Sequence, residues 1–113
     1  MYDPIKFYVA QDVGDLLDQL ATMLGSAPTF KDKSGLFPDQ TIDTEFFILG
    51  EGLKAVRSEV GEETYANLVD LAARMRAHFE ADPEEKTGES SKGYECLHET
   101  DDIFTEILRS QKH

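Results

Sequence analysis

The sequence predicts an all-α fold, a four-helix up-down antiparallel bundle with an N-terminal extended arm. Three observations carry that reading. Apolar residues recur three and four apart in two consecutive stripes, Ile42, Phe46, Leu49, Leu53, Val56, Val60 and then Tyr65, Leu68, Ala72, Met75, Phe79. Residues so spaced share one face of a helix. Gly61 alone separates the stripes, and a connection that short makes the two helices antiparallel neighbours. Strand-like alternation is confined to Ile5, Phe7 and Val9, which have no second strand to pair with and are read as an arm packed on the bundle.

The first helix is expected to start at Asp12, whose carboxylate can cap the amides of the opening turn, with Asp15 favouring the positive helix end. Its apolar face is Val13, Leu16, Leu17, Leu20 and Leu24; Gly25 is the expected stop, and Pro28 blocks continuation. Residues 25–40 form a long loop, a candidate binding element, anchored to the core by Phe30, Leu36 and Phe37. The second helix is expected from Gln40 to Val60, capped by Asp39 or Asp43. Phe47 and Ile48 fall outside its stripe and widen the buried face. Gly50 and Gly52 each cost about 1 kcal/mol inside a helix relative to alanine; they mark a close helix–helix approach or, alternatively, a kink that opens the backbone to a ligand. Gly61 caps this helix, and the third follows over Glu62 to Ala81, ending at Asp82-Pro83 because the residue before proline disfavours helical backbone. Residues 83–93 read as a polar, solvent-exposed connection. The fourth helix is expected from Ser91 to Ser110, with Leu97, Phe104 and Leu108 on its face and Cys96, Ile103 and Ile107 flanking it.

At 113 residues the chain is read as one domain, long enough to bury a core without metal or disulfide support. A single cysteine excludes an intrachain disulfide. No apolar run approaches the ~20 residues of a membrane span, and the N-terminus lacks the basic and apolar regions of a signal peptide. The expected setting is cytoplasmic. The net charge of −12 is unevenly spread: residues 80–106 hold ten acids against Lys86 and Lys92, and residues 39–63 hold seven against Lys54 and Arg57. That field repels nucleic acid and anionic membrane and would steer a basic protein; the plainer account is that it keeps a small protein in solution.

Catalytic chemistry finds little footing. There is no phosphate-binding glycine loop and no nucleophile elbow. Cys96 sits beside Glu95, and negative neighbours raise a thiol pKa, the wrong direction for a nucleophile. Glu95-Cys96-Leu97-His98 is an E-x-x-H pattern of the kind that supplies metal ligands in carboxylate bundles, but such sites use two copies and further glutamates. Glu95 and His98, with Glu59 or Asp102 as a third group, are therefore weak metal candidates, and no cofactor is expected. Off the stripes, Tyr2, Phe37, Phe47 and Tyr94 are candidates for an exposed aromatic anchor ringed by acids, with core packing as the alternative.

The functional expectation is a non-enzymatic, acidic protein-binding module that neutralises a basic partner. In charge and size it is similar to immunity proteins and antitoxins; the analogy rests on no sequence motif. The expected partner-binding residues are Tyr94, Glu95, Glu99, Asp101 and Asp102 on the last helix, with Asp43, Glu45 and Glu51 on the second. Two alternatives stand beside it: a self-associating structural or regulatory protein, such as a homodimer built on the heptad stripes, and a metal-binding bundle.

Overall fold

The computed structural model describes residues 9–30 and 41–111. Most of the arm, the loop anchors Leu36 and Phe37, and the proposed cap Asp39 lie outside those residues. The described residues form five helices and no strand: α1 (Val13–Ser26), α2 (Ile42–Ala55), α3 (Arg57–Val60), α4 (Glu62–Ala81) and α5 (Glu89–Gln111). The four longer helices close a ring of contacts, α1 against α2 and α5, and α4 against α2 and α5. None of the described helices is long and apolar enough to cross a membrane.

Asp12 caps α1 as its position suggests, accepting the Asp15 amide at 2.8 Å. The Asp15 carboxylate in turn accepts the Gln11 amide at 3.2 Å. Val13, Leu16, Leu20 and Met23 make the buried face. Two expectations fail here. Gly25 lies within the helix, and Leu24 is 41% exposed. The 3-4-3 spacing from Val13 passes through Met23, and Leu24 is a further 100° round the helix.

The cap of α2 is Thr41, not Asp43. Thr41 and Thr44 exchange hydrogen bonds, the Thr44 amide donating to Thr41 Oγ1 at 3.2 Å and the Thr41 amide to Thr44 Oγ1 at 2.8 Å. The expected single helix from Gln40 to Val60 is broken at Val56, whose amide lies 3.3 Å from the carbonyls of both Gly52 and Leu53. Sharing one donor between the i−4 and i−3 carbonyls tightens the last turn and redirects the chain into α3. Neither glycine makes this break. Gly52 is a close-approach position: a Cβ there would stand 2.9 Å from Leu16 Cδ2 and 3.3 Å from Ala10 Cβ. Gly50 faces open space.

Gly61, at φ 91°, has the positive dihedral that glycine tolerates. The Arg57 guanidinium grips Glu62 across this turn through two 2.7 Å bonds and lies 4.6 Å above the Tyr65 ring. α4 follows with the bounds its sequence predicts, burying Leu68, Leu71, Met75 and Phe79.

The last helix starts before Ser91, and Gly93 belongs to its buried face rather than to an exposed connection. Asp82 organises this start. Only 2% exposed, its carboxylate accepts the amides of Lys86 at 2.6 Å, Thr87 at 3.1 Å and Ser90 at 3.2 Å. Burial pushes the Asp82 carboxyl up, but these bonds outweigh it and hold the group down to about 2.

Phe30, outside any helix, is fully buried and lies edge-on to Phe46 at 5.4 Å and to Phe79 at 5.5 Å. Phe79 makes the same contact with Tyr94 at 5.1 Å. Aromatic side chains bury roughly 150–250 Å² each, so this row is the centre of the core and joins α2, α4 and α5 to the segment after α1.

Candidate functional site

The partner-binding residues expected from sequence occupy different environments. Glu95, Glu99 and Asp102 are exposed on α5, and their spacing puts them on one helix face. Asp101 is turned partly inward, its carboxylate accepting the Thr105 hydroxyl at 3.1 Å. Tyr94 is not an exposed anchor. Its ring packs on Phe79 and its hydroxyl donates to Glu85 at 2.9 Å, with the Ala27 carbonyl at 3.3 Å. Burial, reinforced by the Glu85 carboxylate, pushes the phenol up to about 12. Phe47 is 44% exposed; Tyr2 and Phe37 lie outside the described residues.

The three residues expected on α2 are engaged differently. Asp43 is bound by Arg76 of α4, which also holds Glu80, and Glu51 is bound by Lys54 at 3.0 Å. Glu45 lines a groove of about 270 Å³ between α1 and α2 with Asp15, Asp18, Gln19, Thr22 and Ile48. Burial there pushes the Glu45 carboxyl up. The Gln19 amide oxygen and nitrogen are buried without a hydrogen-bond partner among the described residues.

A second groove, of about 420 Å³, runs between α4 and α5 and is lined by Arg74, His78, Lys92, Glu95, Cys96 and Glu99. His78 Nδ1 lies 2.8 Å from Glu89 Oε2, and Lys92 Nζ lies 3.2 Å from the other oxygen. These two partners, His78 foremost, pull the Glu89 carboxyl down. The Cys96 thiol is buried and pushed up, chiefly by that burial, with Glu99 and Glu95 adding to it and Arg74 opposing. The direction matches the sequence argument, although burial rather than neighbouring charge is the main cause.

The metal candidates do not converge. Glu95 and His98 are both exposed, and Glu59 accepts the Gln111 side-chain amide at 2.6 Å, about 20 Å along α5 from His98 at 1.5 Å per residue. Among the described residues no three His, Cys, Asp or Glu side chains are placed to hold a metal ion.

The distribution of positive charge separates these surfaces. Every described lysine and arginine is ion-paired with one of the chain's own acids: Lys54 with Glu51, Arg57 with Glu62, Arg74 with Asp70, Arg76 with Asp43 and Glu80, Lys86 with Glu84, Lys92 with Glu89, and Arg109 with Glu106. Glu95, Glu99 and Asp102 have no such partner among the described residues. The sequence points by charge density to the wider set Tyr94, Glu95, Glu99, Asp101 and Asp102, of which these three are the exposed acids. It misses His78 and Arg74 of α4 as their neighbours, because nothing in the local pattern shows which face of α4 meets α5. Comparison with known proteins finds no family whose pattern the chain matches, no curated relative and no solved structure that resembles it.

Proposed function

We propose that this chain is a single-domain, non-enzymatic, cytoplasmic binding module whose outer α5 face receives a basic protein and masks its positive surface, as an immunity protein or antitoxin does. In this reading the four longer helices form an up-down antiparallel bundle that serves as a rigid support for that face. The observation that carries it is the row Glu95, Glu99 and Asp102, exposed on one helix and without an ion pair among the described residues, while the nearby Arg74 and Lys92 are paired with Asp70 and Glu89. Like charges three and four apart cost a helix about 0.2–0.5 kcal/mol per pair. A face whose carboxylates form no ion pair of their own among the described residues is suited to external positive charge, which would relieve the repulsion and speed encounter.

The stripes that could have served a self-associating protein are used within the chain: Phe46, Leu49, Leu53, Leu68, Met75 and Phe79 are each no more than 9% exposed.

The test is affinity capture from native lysate at low and at roughly 0.5 M salt, with the wild type beside the triple variant Glu95→Lys, Glu99→Lys, Asp102→Lys. One stoichiometric basic protein is expected at low salt, weakened by added salt because the Debye length falls from about 10 Å at 0.1 M. The variant is expected to lose that protein while keeping wild-type helicity by circular dichroism. Equal capture by both proteins would remove this face from consideration.

A further inference from the structure

We draw no further inference here: the strongest candidate, the groove between α1 and α2 lined by Asp15, Asp18, Gln19, Thr22, Glu45 and Ile48, is a cluster of acidic side chains beside a glutamine that is only half-buried, and nothing in the structure shows what ligand it would take.

Discussion

Replacing Gly93 by alanine is expected to destabilise the bundle, although alanine is the better helix former. A Cβ at this position would stand 2.7, 2.8 and 2.9 Å from Cε1, Cδ1 and Cζ of Phe79. Carbon atoms rest at about 3.5–4.0 Å, so the methyl group would sit more than half an ångström inside contact with three ring atoms at once. The ring has no easy retreat, because Phe79 is fully buried and wedged edge-on between Phe30 and Tyr94. Overpacking of this kind costs about 1–3 kcal/mol. The gain in helix propensity returns about 1 kcal/mol, leaving a net loss of roughly 1 kcal/mol, or about 4 °C in Tm for a chain of this size. Gly50→Ala is the matched control: nothing lies within 4 Å of its added Cβ, so propensity acts alone and stability rises by up to about 1 kcal/mol. Urea unfolding of both variants gives the comparison, and Phe79→Leu combined with Gly93→Ala completes a double-mutant cycle in which relief of the clash appears as a favourable coupling. A Gly93→Ala protein as stable as the wild type or more so would refute the close-approach argument.

Three further outcomes are expected. Phe30→Ala should cost about 3–5 kcal/mol, the range for a buried aromatic, whereas Leu24→Ala, at a 41% exposed position, should cost far less; denaturant midpoints give the ranking. Thr41→Ala should cost about 1 kcal/mol by removing one half of the α2 cap, measured in the same way. For Asp82 the folded carboxyl titrates at about 2 against an ordinary 3.8. Its contribution is therefore present above pH 4 and fades as pH falls through 2. The stability gap between wild type and Asp82→Asn should narrow across that window, and a gap constant from pH 7 to pH 2 would contradict it.

The parts of this fold legible in the sequence are those set by local periodicity and punctuation. α4 is bounded by a glycine before it and Asp82-Pro83 after it, and Asp12 caps α1 because a cap needs only its own first turn. The features that escaped depend on distant residues. Glu89–Gly93 is a polar, loop-like run in isolation; it becomes helix as Asp82 takes the Ser90 amide and Gly93 lets Phe79 close. The break at Val56 contains neither glycine nor proline, and Val56 itself is 1% exposed, so the chain bends where the core needs that side chain. Phe30 is legible in the sequence as a loop anchor and is fully buried as expected; its edge-on seat against Phe46 and Phe79 is the part that only the tertiary structure supplies. For the candidate site, the acidic run Glu95, Glu99, Asp101 and Asp102 is legible from charge density, but not that Asp101 turns partly inward. The neutralisation of Asp43 by Arg76, 33 residues away, and the packing of the half-buried Tyr94 on Phe79 are tertiary facts with no local signature.

The pairing of α1 with α5 bears on how the protein comes to be made. During synthesis, Val13, Leu16, Leu20 and Met23 leave the ribosome with no partner from the last helix, since α5 is still untranslated. At about 5–20 residues per second, that apolar face waits several seconds for it. α2 and α4 can pair earlier, as they are closer in sequence. Closure of the bundle is thus a late event on the nascent chain, and the interval before it is when the protein is most exposed to aggregation or to capture by a chaperone.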